Sequence, residues 1–418
     1  SGQADEVRWD GTDGQGERVP DGTYRYSIRS VDEAENHAPP VTVQVRVDTR
    51  PTPVRIQVRT RRFSPNGDGL SDTVEVALDP TIRDGIQSWS LEVVDSRGET
   101  RGMIATGTDA VPPTVAWSGA VSDVSVDAGD RQNVLEDGTY RLQFVVAYEK
   151  GNVATGESRS VEIDTTPPEA VISVDPPLFS PDGDGSNDAL TITTEAADPA
   201  GVQSWNVIVA DPTGTPFRQF RGSGRPPRTL LWDGTGSSGE LVQSASTYVA
   251  TLTATDDVWN SATATAEINV DILVFRTTVP GPQGQEEQLR ISLSNIHFPP
   301  FSADFTAVSP EQMIENIATI DRLSQILQRF PTYDIAVEGH AVMVYWNQPD
   351  RAKIEQEEVL IPLSQARATA IRDALVDRGI DTERMTVRGY GGERPIVPHG
   401  DRTNRWKNRR VEFVLVER

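Results

Sequence analysis

Two loops place oxygen-bearing side chains at the spacing a hard cation would use. They are Ser64-Pro65-Asn66-Gly67-Asp68-Gly69-Leu70-Ser71-Asp72 and Ser180-Pro181-Asp182-Gly183-Asp184-Gly185-Ser186-Asn187-Asp188. Calcium takes six to eight oxygens around a sharp, glycine-permitted bend. The candidate ligands are Asn66, Asp68, Asp72 and Glu75 in one loop, and Asp182, Asp184 and Asp188 in the other. Counted from its serine, the first loop has Glu75 at the twelfth position, where an EF-hand carries a bidentate carboxylate. The second has Thr191 there, which cannot chelate. The flanks read as strand, not helix. The same residues also suit an Asx-rich turn whose side chains cap their own backbone, and the spacing leaves both roles open.

Catalytic patterns are missing. The chain has four dispersed histidines and no cysteine. It has no His-Glu-x-x-His, no Gly-x-Ser-x-Gly and no phosphate-cradling glycine loop before a helix. No residue is singled out as catalytic, and the expectation is a protein that is not an enzyme.

The elements around these loops repeat. Phe63 and Phe179 open the two loops 116 residues apart, and Trp89 and Trp205 each follow their Phe by 26 residues. The second half of the repeat occurs three times. Trp9, Trp117 and Trp232 precede Tyr24, Tyr140 and Tyr248; Asn36, Asn152 and Asn260 follow those tyrosines by 12 residues; Asp48, Asp164 and Asp271 close each copy. Alternation at Val41, Val43, Val45 and Val47, and at Thr247, Val249 and Thr251, has the period of half-buried strands. Short strands with frequent turns predict all-β sandwiches, Ig-like in the broad sense, with the repeated Trp and Tyr as core. The expected organisation is a partial Ig-like half-repeat (1–50), two Ig-like modules (51–166 and 167–273), a linker (274–288) and a C-terminal domain (289–418). Residues 7–50 match only the second half of a repeat. The strands expected before Trp9 then lie outside this chain, or the half-repeat rests on the next module or on a partner.

Composition fits a row of small domains over 418 residues, with 36% hydrophobic content. The net charge is −23, of which residues 1–279 carry −20 and residues 280–418 only −3. An acidic front disfavours nucleic acid and anionic membrane surfaces, and serves solubility. No apolar run approaches the ~18–20 residues of a membrane span. The absence of cysteine excludes disulfides without fixing a compartment.

Toward the C-terminus the pattern becomes α+β. Thr277 to Gln288, with Pro280, Gly281, Pro282 and Gly284, reads as linker, and Ile291 to Phe298 as a strand. Ser309-Pro310-Glu311-Gln312 is a helix start with a capping box, followed by an apolar face from Met313 to Phe330. A strand over 334–342, a helix over 362–378 stopped by Gly379, and strands over 385–389 and 410–416 give a β-α-β-α-β-β order.

This order carries Ile296-His297-Phe298, Val337-Glu338-Gly339-His340, Leu363-Ser364-Gln365-Ala366-Arg367-Ala368, Arg388-Gly389-Tyr390-Gly391 and Asn408-Arg409-Arg410-Val411-Glu412. Together they resemble the OmpA-like, peptidoglycan-associating C-terminal domain family, over about 125 residues, here preceded by Ig-like repeats. The arrangement resembles a spirochaetal envelope member of that family. The resemblance implies a pocket for the zwitterionic diamino acid of the peptidoglycan stem, with an Arg for its carboxylate and an Asp for its ammonium. Arg367 matches the Arg; Gly339, His340 and Asn408 match scaffold positions of the pocket, with His340 a structural histidine of its motif. The Asp is replaced by Val342, an expected Asn by Leu360 and an early acidic residue by Phe301. An insertion, 343–360, holds Tyr345, Trp346 and Pro349. Arg367 could instead pack its stem and pair locally. The run Arg402, Arg405, Lys407, Arg409 and Arg410 reads as a solvated strand lead-in or a contact for anionic glycan or lipid.

The function expected is a non-enzymatic structural or interaction protein of the bacterial envelope, facing the periplasm, with outer-membrane association through a segment outside this chain. Its peptidoglycan site is degenerate, with binding weakened, altered or lost. The alternatives are binding retained through Arg367 and the 343–360 insertion, and a surface adhesin stiffened by calcium. The partner is peptidoglycan or another envelope component, not nucleic acid.

Overall fold

The computed structural model describes residues 8–108, 110–122, 132–281 and 284–418. They form two compact units, Ser1–Thr166 and Pro167–Arg418. Each contains a β-sheet module, and the second also contains the α+β domain. Among the described residues no helix is long and apolar enough to cross a membrane.

In the first unit, Gly22–Ile28 and Val41–Val47 pair as an antiparallel hairpin. The Val41, Val43, Val45 alternation, read as half-buried, faces outward here: the three are 63%, 56% and 36% exposed. The module that follows has a three-stranded sheet (Val54–Val58, Val74–Pro80, Thr114–Trp117) and a larger one centred on Ile86–Val94 and Gly138–Tyr148. Ile56 and Val76 from one sheet and Leu91 and Phe144 from the other share a single core.

The second unit repeats the plan. Glu169–Asp175, Leu190–Ala197 and Thr229–Trp232 make a three-stranded sheet; Val202–Ala210, Pro216–Ser223, Thr247–Asp256 and Ser261–Asn269 make a four-stranded one. Both enclose Ile192, Val207 and Leu252. The repeated words have a packing reason. Phe63 lies against Trp117 at 5.2 Å between centroids, and Phe179 against Trp232 at 5.6 Å. Gly119 and Gly234 adopt φ of +77° and +81°, and a Cβ there would come within 3.0 and 2.7 Å of Pro65 and Pro181. The Ser-Pro loop is thus seated on the turn after the Trp, 50 or so residues later in the chain.

The α+β domain comprises β1 (Phe275–Gly281), β2 (Gly284–Leu293), α1 (Pro310–Gln328), β3 (Tyr333–His340), α2 (Pro349–Ile354), α3 (Ile361–Val376), β4 (Met385–Gly391) and β5 (Val411–Glu417). Its five-stranded sheet runs β1-β2-β5-β3-β4, with β3 and β4 parallel. Residues 274–288, read as linker, are corrected to a hairpin that enters this sheet. Val274 packs against the core and the second strand runs on into the buried Leu289 and Ile291, so the hairpin gains apolar contact that a free linker would forgo. The turn of that hairpin, including Pro282, lies outside the described residues. The strand expected to reach Phe298 stops at Leu293, because the Asn316 side chain takes the backbone of His297 at both its N–H and its C=O.

α1 starts as its sequence dictates, with Ser309 and Gln312 capping each other's backbone. α2 continues through a π-helical turn, Glu355–Leu360, into α3. Glycine lets α3 lie directly on the sheet: a Cβ at Gly339 would be 2.1 Å from the Ser364 carbonyl oxygen, and one at Gly389 2.5 Å from the Gln365 nitrogen.

Candidate functional site

The second unit contains a cavity of about 810 Å³. Its walls come from 293–298 after β2, from α1 and α3, from the 406–411 segment, and from the preceding β-module at 212–213 and 245–247. That module is held against the domain by defined bonds. Arg322 of α1 grips Asp271 with Nε at 3.0 Å and Nη2 at 2.6 Å, and Asn295 Nδ2 donates to the Ala245 carbonyl at 2.7 Å.

Arg367 rises from α3 into this cavity. Its Nε donates to the Ser302 carbonyl at 2.9 Å and its Nη2 to the Pro299 carbonyl at 3.1 Å, while the guanidinium sits 4.8 Å from the Phe298 ring centroid. The Arg therefore braces the 299–302 loop. Burial, then the nearby Arg409, pull its pKa down from the usual arginine value. Both effects disfavour the cation and leave an anion as its natural complement.

His340 ends β3 and is 3% exposed. Its ring stacks on Tyr390, centroids 5.4 Å apart and planes within 10°. Nε2 lies 3.8 Å from Glu412 and 4.0 Å from Glu338, too far for hydrogen bonds, and neither ring nitrogen has a partner. Burial first, then Arg410, push its pKa down to about 4, with Glu412 opposing and Arg394 and Arg290 adding to the depression. Glu338, His340 and Glu412 gather at metal-ligand separations. The carboxylates are already met by guanidiniums: Arg410 Nε lies 2.6 Å from Glu412, Arg290 3.5 Å from Glu412 and Arg394 3.5 Å from Glu338. The group is a charge network around a neutral imidazole.

Of the pocket residues inferred from sequence, Arg367, Gly339 and His340 line the cavity. Val342, Leu360, Phe301 and Asn408 do not. Leu360 is buried in the π-turn, Phe301 points outward at 83% exposure, and Val342 is half-buried past the end of β3. Asn408 is a loop clamp: its Oδ1 accepts from Ile396 and Val397, and its Nδ2 donates to the Val397 carbonyl. The insertion is ordered from within, with the Glu355 carboxylate accepting the N–H groups of Val344 and Tyr345, and Gln356 bonded to Tyr390 and Gly392. None of its residues lines the cavity.

Sequence reasoning missed Trp406, Asn295 and the β-module wall. It also read Lys407 and Arg410 as solvated, and both are buried. Alternation gave a hint at Arg410, one residue before a strand and in step with Glu412.

The oxygen-rich loops lie elsewhere. Asp72 accepts from the N–H groups of Gly67 and Gly69, and Asp188 from those of Gly183 and Gly185, each at 2.7 or 2.8 Å. Asn66 and Asp68, and Asp182 and Asp184, accept from backbone two residues on. Glu75 stands on the following strand, 3.8 Å from Arg59, and does not gather with Asp68 and Asp72. Asp182, Asp184 and Asp188 do converge, with ligand atoms within 4.8 Å. Three carboxylates already holding backbone N–H groups fall short of a calcium shell. Asp182 also accepts from Val274 N at 3.0 Å, and burial raises its pKa. That loop ties the β-module to the start of the hairpin.

Residues 306–409 match the model of the OmpA family. The peptidoglycan-associated lipoprotein of Brucella melitensis is 39% identical over 97 residues, covering 23% of this chain and 52% of the relative. Its counterpart in Rhizobium meliloti is 32% identical over 132 residues, covering 32% and 66%. Among solved structures, the periplasmic domain of Helicobacter pylori MotB aligns at 22% identity, over 34% of this chain and 79% of that one, with a TM-score of 0.26. The chain spans about half the length of the first of these curated relatives. The C-terminal part of this chain, residues 306–409, is an OmpA-family domain.

Proposed function

We propose that this chain is a non-enzymatic protein of the bacterial cell envelope that associates with peptidoglycan through the cavity around Arg367. Its two complete β-modules, read as Ig-like sandwiches, serve as spacers and, in the second, as one wall of the site. The periplasmic side of the outer membrane is the location that fits relatives named peptidoglycan-associated lipoprotein.

One observation carries this reading. Arg367 sits on the wall of an 810 Å³ cavity with its guanidinium oriented by two backbone carbonyls and an aromatic ring. A planar, pre-oriented guanidinium suits a carboxylate. Among the described residues the one carboxylate lining the cavity is Glu315, which is exposed and lies 3.3 Å from His297. The chemistry is altered from a zwitterion-binding pocket, not merely reduced.

The test is cosedimentation with purified sacculi. Wild type should pellet with them, and Arg367→Ala should lower the bound fraction about tenfold, the loss expected for one charge-assisted contact. Absence of wild-type protein from the pellet refutes the proposal.

A further inference from the structure

Five of the side-chain atoms that are buried without a hydrogen-bond partner belong to residues lining this one cavity. They are Asn295 Oδ1, His340 Nδ1 and Nε2, Trp406 Nε1 and Arg410 Nη1. Buried polar atoms are rarely left without partners in a native fold, so their clustering on residues around one cavity singles that cavity out. Trp406 Nε1 and Arg410 Nη1 can only donate. Arg410 is 5% exposed, its Nε is held by Glu412 and its Nη2 by the Arg394 carbonyl at 3.0 Å, so the remaining nitrogen is fixed in direction. Arg409, one residue away on the same wall, is exposed and makes no ion pair among the described residues. It acts on Arg367 electrostatically, which places the two guanidiniums in one field.

Charge on the walls is accordingly one-sided. Among the described residues Arg367, Arg409 and Arg410 line the cavity, and against them stands only Glu315, turned to His297 and 64% exposed. An ammonium group entering such a space meets mostly like charge, with Asn295 Oδ1 and one His340 ring nitrogen as neutral acceptors, whereas a carboxylate meets indole and guanidinium donors.

We propose that the cavity selects a ligand presenting two carboxylates and no free ammonium, with Arg367 holding one and Trp406 Nε1, Arg409 and Arg410 Nη1 forming a second acid-binding end. In peptidoglycan this corresponds to stem-peptide carboxylates whose neighbouring amino groups are acylated. The inference rests on the reading that this cavity is the binding site, and gives that site its ligand class.

The probes are pimelate, diaminopimelate and N,N′-diacetyl-diaminopimelate, which share a seven-carbon dicarboxylate chain and differ in their amino groups. Binding to the full chain is followed by isothermal titration calorimetry. Pimelate and the diacetyl compound should bind at least tenfold more tightly than diaminopimelate. Trp406→Phe keeps the ring and removes the N–H, and Arg409→Gln removes an exposed charge; each should weaken pimelate three- to tenfold without altering the circular-dichroism melt. Diaminopimelate binding as tightly as pimelate overturns the proposal. So does pimelate binding unchanged in both variants, or not measurable at 10 mM. The sacculus assay separates the two ideas: sedimentation with a diaminopimelate preference sinks the ligand class alone, and pimelate binding without sedimentation sinks the peptidoglycan reading alone.

Discussion

His340 should remain neutral in the folded protein until the pH falls to about 4. The ring is almost wholly buried, flat against Tyr390, with no hydrogen bond at either nitrogen and Arg410, Arg394 and Arg290 in its field. Its ordinary pKa is 6.5. Between those values the unfolded chain takes up a proton that the fold refuses, so folding stability falls as pH drops. The stabilisation is full above about pH 6.5 and is lost progressively down to the folded pKa. At 1.36 kcal/mol per unit the whole loss is about 3 kcal/mol, and about 2 kcal/mol of it is gone by pH 5. Urea unfolding of wild type and His340→Phe at pH 7, 6 and 5 measures this. The stability gap between them should close by about 2 kcal/mol from pH 7 to pH 5, because the variant has no proton to gain. In parallel, the His340 imidazole resonance, assigned by its disappearance in the variant, should not move between pH 8 and 5. A titration midpoint at 6 or above, or a gap independent of pH, refutes the account of a desolvated neutral ring.

Three further outcomes follow from the packing. Gly389→Ala would push a Cβ into the backbone of α3, 2.5 Å from the Gln365 nitrogen and 2.6 Å from the Ile361 carbonyl oxygen. The helix must shift as a body, and thermal melting should show a loss of about 3 kcal/mol. Arg322→Ala removes the two-pronged grip on Asp271 and leaves that carboxylate, 12% exposed, without its cation. Since Arg322 is itself 42% exposed, the cost in urea unfolding should be about 1–2 kcal/mol. Asp188→Ala strips the Gly183 and Gly185 N–H groups of their acceptor in an exposed loop, and melting should register about 1 kcal/mol, with Asp188→Asn in between.

The sequence by itself determined the repeat, the helix start at Ser309 and the OmpA-like words, since each is local. A capping box needs only four consecutive residues, and a strand's alternation is set by its own pleat. Spacings such as the 116 residues between Phe63 and Phe179 survive because the same core must be filled twice. The identity of Arg367 as the central cation was legible for the same reason, being written in a contiguous motif. What it touches was not, because Pro299 and Ser302 lie more than sixty positions away. The hairpin over Phe275–Leu293 was masked by its Pro and Gly content, which marks a turn as readily as a linker; only pairing of β2 with β5 distinguishes them. The oxygen-rich loops suited a cation and a self-capped turn equally, until the fold showed Asp72 and Asp188 each spent on two glycine N–H groups. Above all, tertiary structure decided the character of the cavity. Which donors are buried, unpartnered and on one wall depends on how a β-module and an α+β domain close together, and no local pattern of residues encodes that.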